Sequence, residues 1–378
     1  MNDGGERDGS EADEDGPTGG GIGAALTRRR LTVAGTILVF LGLAVAVREI
    51  ELETVVAEVA GADLRLLAAA VAVYLVSWPL RGRRYGDVLA AMGRRVGTPF
   101  LTAAIFVSQT ANLAVPARAG DATRAYVIAR QDVPYTAGFA SLTVERLFDL
   151  ATIAALAGVA TGWLALQGEA GPLDLATTGG ARTALVAASA VSTATVGVGL
   201  AVVTSARSEV GIAPWLRRRV EGSPRLEAAL DALLEFVADV QLVARNPRAA
   251  LAVGATSLVV WLLDVVTAVL VLAALDSRLA VGPLLAVGTL AVSVGNLAKV
   301  LPLSQGGVGL YEAAFTALVV ALTPIGAGTA LAAAIVDHAL KNAVTLVGGG
   351  VSVAALGISL SDAAADASGS GDSGNFLG

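Results

Sequence analysis

Apolar residues along this chain gather into runs of bilayer length, separated by short stretches rich in arginine, glycine or proline. The runs fall at about 31–47, 64–80, 99–115, 150–167, 183–204 and 249–275, with more apolar sequence after them. A hydrocarbon core of about 30 Å takes about twenty apolar residues of α-helix, so the pattern predicts a bundle of membrane-crossing helices. Arginines orient the bundle. "RRR" at Arg28 to Arg30 precedes the first run and predicts a cytoplasmic N-terminus by the positive-inside rule. "RGRRYGDVLAAMGRR" after the second run and the segment from Arg207 to Arg248 are expected on the same side.

Parity then singles out one run. Three apolar runs, 99–115, 150–167 and 183–204, lie between two segments assigned to the same face, and an odd number of crossings cannot join them. The run at 99–115 is short, contains Ser108, Gln109 and Asn112, and ends at Pro116. It is expected to be a re-entrant hairpin opening to the cytoplasm, because irregular polar backbone at membrane depth survives only beside protein or water.

The wording of that hairpin recurs. "NLAVPARAGD" from Asn112 and "NLAKVLPLSQGG" from Asn296 share Asn-Leu-Ala, then a proline, then small polar residues and glycine. Three crossings separate the copies, so they face opposite sides, as in inverted-topology repeats whose broken segments meet near the midplane; the bland reading is a coincidence of short words in a chain rich in Ala, Leu and Val. The fold class expected is all-α: a polytopic membrane bundle of about seven or eight spans plus two re-entrant segments, built as an inverted repeat.

Composition agrees and narrows the chemistry. The chain is 55% hydrophobic and 15% charged, with mean hydropathy +0.70. It has no cysteine and one histidine, His338, which argues against disulfides, a thiol nucleophile or a histidine-rich metal centre. No cofactor and no nucleic-acid partner is expected. The net charge is -6, and acid gathers in the two ends, 1–27 and 361–378, which lack apolar period and read as disordered tails around a membrane domain at 28–360. No cleavable signal peptide is expected, since about thirty polar residues come first.

Three stretches in order, "NLAVPARAGDATRAYVIAR", "SLTVERLFDL" and "LPLSQGGVGLYEAAF", resemble the signatures of the lysylphosphatidylglycerol synthase transmembrane-region family, the flippase-like domain. The resemblance covers roughly residues 30 to 355. It implies an integral membrane domain that moves lipids or lipid-linked precursors between leaflets. Bacterial relatives are fused to an aminoacyl-transferase domain, and archaeal ones are fused to or associated with glycosyltransferases; this chain is expected to carry neither. The chain departs from the family in its last helix, where an arginine is common and "IVDHALKN" supplies His338 and Lys341 instead. The arginine-dominated basic residues and acidic tails resemble haloarchaeal proteins.

The candidate substrate-binding residues follow the motifs, each with a bland reading beside the sharp one. Asn112, Pro116, Arg118, Asp121 and Arg124 can clamp a lipid phosphate, or serve as ordinary cytoplasmic loop charges. Glu145, Arg146 and Asp149 lead directly into a span, with Arg146 in reach of Asp149. They form an intramembrane site with Arg146 as its cation, or a structural ion pair. Asn296, Pro302, Ser304, Gly306, Gly307 and Glu312 precede a helix expected from about Val308, and form an anion site or a close helix contact. Asp337 and Lys341 form a structural pair, or feed a titrating relay through His338. Asp264 is a lone acid deep in a span, and 224–246 is an amphipathic helix on the membrane surface.

Three functional classes compete. A translocase needs a polar path and no covalent chemistry. An intramembrane enzyme needs a nucleophile or metal set that the sequence does not offer. An accessory subunit of a glycosyltransferase or lipid synthase keeps the fold but has no need of the charges. The expectation is a non-enzymatic, multi-pass cell-membrane protein that translocates or binds an anionic or polyprenyl-phosphate-linked lipid, with the accessory subunit as the alternative.

Overall fold

A computed structural model describes residues 52–114, 120–167, 179–207, 213–220, 222–275, 279–300 and 305–357. The first apolar run at 31–47, both acidic tails and the site candidates Pro116, Arg118, Pro302 and Ser304 lie outside the described residues. The described residues form α-helices and no strand, as a membrane solvent requires of a chain that builds no barrel. Five helices are long and apolar enough to cross a membrane. These are α2 (Leu64–Ala91), α5 (Tyr135–Leu166), α9 (Pro247–Ala274), α10 (Val281–Ala298) and α12 (Ala327–Leu356). The protein is a polytopic helical membrane protein.

Shorter or more polar helices complete the set: α1 (Leu52–Gly61), α3 (Thr98–Ala114), α4 (Gly120–Ala129), α6 (Gly179–Arg207), α7 (Ala213–Val220), α8 (Pro224–Arg245) and α11 (Leu310–Leu322). Side-chain caps start two of the spans. Asp63 accepts the Arg65 N–H at 2.8 Å ahead of α2, and Asn246 accepts the Ala249 N–H at 3.1 Å ahead of α9, satisfying donors that a helix start leaves open.

Helix ends fix the direction of each element. The Asp63 N–H donates to the Ala274 carbonyl at 2.9 Å, so α2 and α9 lie antiparallel. Val88 and Met92 at the end of α2 pack with Ala140 and Val144 of α5, Val240 and Val243 of α8 and Val253 of α9. Both arginine-rich stretches therefore sit at one end of the bundle. The opposite end joins Glu58 of α1 to Thr329 of α12 at 2.9 Å.

From the arginine-rich end, α3 runs inward and α4 returns. Gly120 lies directly on the Ser108 carbonyl and Asn112, too close for any side chain, and the Arg124 Nε donates to Ser108 Oγ at 3.3 Å. From the opposite end, where Gly282 packs on Trp163, α10 runs inward and α11 returns with the Tyr311 ring against Gly295. The two hairpins enter from opposite ends and their tips touch: a Cβ on Gly306 would lie 2.9 Å from Leu113 Cδ2. Cross-packing follows the same plan in both halves. The first hairpin lies on α12, the helix that follows the second hairpin, while α10 lies on α5, the helix that follows the first hairpin. This matched exchange is the geometry of an inverted repeat.

Two sequence expectations need correction. The second span does not end at residue 80: α2 continues through Pro79 to Ala91, so Arg81, Arg83 and Arg84 are helical rather than loop residues. The helix expected from Val308 begins at Leu310, after a 3-10 turn over Gln305–Gly307 with positive φ at Gly306, Gly307 and Gly309. Helix α8 is amphipathic as expected, with Leu230 and Val240 buried and Leu226, Leu233 and Val237 left exposed.

Glycine sets the closest contact of the first hairpin. Gly348 and Gly349 lie against Phe106 and Thr110 of α3 with no room for a Cβ, whereas nothing lies within 4 Å of a Cβ at Gly350. Gly349→Leu is expected to destabilise the fold by about 1–3 kcal/mol through overpacking, and Gly350→Leu to leave it unchanged. Thermal unfolding in detergent, read on both variants, checks the contrast.

Candidate functional site

Ionisable side chains gather in two clusters, one per half. The first is centred on Arg84 of α2, which is 0% exposed. Its guanidinium donates to Glu145 and Asp149, one turn apart on α5, and Nη1 also donates to Ser257 Oγ of α9 at 2.8 Å. The Trp261 indole N–H donates to Asp149 Oδ1 at 2.7 Å. Arg124 of α4, also 0% exposed, donates through Nη1 to the other oxygen of Glu145. Glu145 is thus shared between two arginines from different elements. Two guanidinium groups face two carboxylates, which keeps the cost of burying them low only while all four remain.

Arg146 stands apart from that centre. The expectation that it pairs with Asp149 is not met, because the side chains of Glu145 and Asp149 turn toward α2 and Arg146 leaves the helix on another face. Its Nη2 donates to Asp121 Oδ1 at 3.5 Å, with 31% of the side chain exposed. Asn112 donates to the same Asp121 oxygen at 2.9 Å. Asn112, Asp121 and Arg146 therefore line the rim of the first hairpin, while Arg124 sits at its buried wall. One donor of that wall is open: among the described residues Arg124 Nη2 has no hydrogen-bond partner, although it is buried. The guanidinium also lies 5.2 Å from the centroid of the Tyr85 ring.

The second cluster is centred on Lys341 of α12. Its ammonium lies 2.9 Å from Asp337 on the same helix and 3.0 Å from Asp264 of α9. Asp264 is thus not a lone acid. Tyr311 of α11 donates its hydroxyl to Asp337 Oδ2 at 2.6 Å, and Asp337 Oδ1 is buried without a partner among the described residues. His338 Nδ1 lies 2.6 Å from Glu312 Oε1. The other Glu312 oxygen accepts the Gly309 N–H at 2.6 Å and so holds the start of α11. Lys299, at the end of α10, sits 4.1 Å from the Tyr311 ring centroid.

The remaining candidates divide. Gly306 and Gly307 form the tip of the second hairpin, against Leu113 and Lys299 respectively. Asn296 turns back to the Val292 carbonyl of its own helix at 2.9 Å and takes no part in either cluster. Arg84, Trp261, Ser257 and Tyr311 were not among the sequence candidates. The spacing of Tyr74, Ser77, Trp78, Arg84, Tyr85 and Val88, all buried on α2, carries helical period straight through the arginines, and that was the available signal.

The fold and its charges define a polytopic membrane protein with two opposed hairpins around buried ion pairs. Residues 31–349 match the lysylphosphatidylglycerol synthase TM region, and the chain belongs to that family. It is 48% identical over 353 residues to a protein of Haloferax volcanii named Glycosyltransferase AglD. The match covers 89% of this chain and 56% of that protein. The haloarchaeal relative accords with the composition.

Arg84→Ala is expected to leave Asp149 buried without a cation and Glu145 with Arg124 alone, and to cost about 3–5 kcal/mol. Arg146→Ala, at a half-exposed rim position, is expected to stay within about 0.5 kcal/mol. Unfolding midpoints in detergent distinguish the two.

Proposed function

We propose that the protein carries the anionic headgroup of a lipid, a phospholipid or a polyprenyl-phosphate-linked lipid, between the leaflets of the cell membrane. The observation that carries this reading is the buried Arg124 at the first hairpin, which donates from Nη1 to Glu145 and from Nε to Ser108, and whose Nη2 has no partner among the described residues. Guanidinium stays charged at any physiological pH, and its fork fits phosphate oxygens. A phosphate arriving there exchanges hydration for a fixed donor, which is what a low-dielectric path needs. Asn112, Asp121 and Arg146 at the rim offer the approach, and the glycine tip of the second hairpin lies against the first at Leu113. In this reading the protein's own chain forms and breaks no covalent bond. Pro116, Arg118, Pro302 and Ser304 belong to the same two motifs in sequence and are proposed with them.

A second reading has its own support. The relative is named a glycosyltransferase, and 56% of it is matched here, so the bundle can act as the non-catalytic membrane partner of a glycosyltransferase or lipid-modifying enzyme. The two readings differ in whether the bundle moves lipid alone.

Protein reconstituted by itself into vesicles with a fluorescent anionic phospholipid is expected to expose inner-leaflet probe to an external quencher. Arg124→Gln is expected to slow this about tenfold or more, the loss of one charge-assisted hydrogen bond to phosphate, and Arg124→Lys to recover part of it. A wild-type rate equal to that of empty vesicles favours the partner reading instead.

The orientation proposed puts the arginine-rich end and the N-terminus in the cytoplasm. The chain has no cysteine, so single-cysteine variants report sidedness directly. Gly326→Cys is expected to react with an impermeant thiol reagent in intact cells, and Arg95→Cys only after lysis; the reverse pattern overturns the orientation.

A further inference from the structure

The two clusters occupy matching places in the two halves, yet their cations differ in kind. The first holds its carboxylates with arginines alone. The second contains the only lysines of the chain, Lys299 and Lys341, and its only histidine, His338. In a sequence whose other basic residues are all arginine, every readily deprotonated cation has been placed at one site.

The second cluster brings acids, ammonium groups and an imidazole into one buried space. The carboxylates are Glu312, Asp337 and Asp264, and the ammonium groups are Lys341 and Lys299. Among the described residues these three carboxylates and two ammonium groups lie together, and the imidazole of His338 touches one of the carboxylates, Glu312. The weakly acidic group facing it is Tyr311 of α11, whose ring centroid lies 5.0 Å from the imidazole, while Tyr74 of α2 stands by Asp264 and Lys341 of the same cluster. Arg81 of α2 faces the outer side of Tyr74, at 5.9 Å from its centroid. His338 is the one imidazole among these groups, and it is the side chain able to take up and release a proton near neutral pH, directly against Glu312.

Proton position has a mechanical consequence. Glu312 binds His338 with one oxygen and the Gly309 N–H with the other. A proton on His338 makes its bond to Glu312 charge-assisted and draws the carboxylate toward α12, loosening the hold of the other oxygen on the Gly309 N–H. Gly306, Gly307 and Gly309, with their positive φ angles, lie between this cap and the Leu113 contact with the first hairpin.

We propose that His338 and Glu312 bind one exchangeable proton, and that its arrival and departure reposition the second hairpin tip against the first, coupling proton exchange to lipid movement. The coupling rests on the translocase reading; the proton site itself does not.

The single histidine makes the test direct. Protein purified without a histidine tag and with isotope-labelled histidine has one imidazole to follow by NMR from about pH 5 to about pH 9. The signal is expected to titrate, and its midpoint to move by about one pH unit or more in Glu312→Gln. Asp337→Asn, within the same cluster, provides a second probe should Glu312→Gln not assemble. In vesicles, the wild-type lipid rate is expected to change several-fold between acidic and alkaline buffer, and the His338→Gln rate to stay flat. An imidazole that does not titrate, or whose titration neither variant moves, overturns the proton site. Titration as expected beside a pH-independent wild-type rate overturns the coupling. Titration as expected with no lipid movement by the wild type rejects the translocase reading and leaves the proton site standing.

Discussion

The contact on which the bundle depends is the guanidinium of Arg84, buried between Glu145 and Asp149. Each of these charges alone is costly in a low-dielectric interior, and together they tie α2 to α5 with a geometry that admits little slack. Glu145 passes the constraint on to Arg124, and so to the returning arm of the first hairpin. Ser257 and Trp261 bring in α9. Four elements are thus held by one chain of charge-assisted hydrogen bonds, in a setting where apolar surface gains little from leaving lipid.

Small residues do the complementary work. The arms of each hairpin close on one another at Gly120 and Gly295, and the first hairpin meets α12 at Gly348 and Gly349, so that backbone and side chain meet at distances an alanine would forbid. The pairing of a polar lock with glycine-lined contacts appears in both halves. Close glycine contacts of this kind suit a chain that is only 4% aromatic. Dispersion at close range replaces the bulky packing of a water-soluble core.

Much of this architecture was legible in the chain. Run lengths announced membrane helices, parity singled out residues 99–115, and the repeated Asn-Leu-Ala pointed to the second hairpin. What the sequence hid was which charge meets which. Arg146 and Asp149 share a helix and a plausible spacing, whereas the true partner of Asp149 is Arg84, 65 positions away. Hydropathy ended α2 at residue 80 because arginines read as loop, though burial of Arg84 inside the bundle reverses that inference. Asp264 looked solitary for the same reason: Lys341 is 77 positions distant. Local spacing reports neighbours on one helix, and intramembrane ion pairs are built between helices.

Opposed entry of the hairpins bears on the energetic problem the proposed function poses. A headgroup crossing about 30 Å of hydrocarbon unaided loses its hydration throughout. Helix α3 has 17 residues, about 25 Å of rise, and carries the rim of Asn112 with it toward the interior. Helix α10 has 18 residues and brings Lys299 inward from the other end. Polar groups thus reach the interior from both sides, and the separation between them narrows to the contact of Leu113 with Gly306. That contact is made by one apolar side chain and one residue without any, so it can part without breaking an ion pair. In the proposed transport the two charge clusters would remain on either side as walls while the tips move.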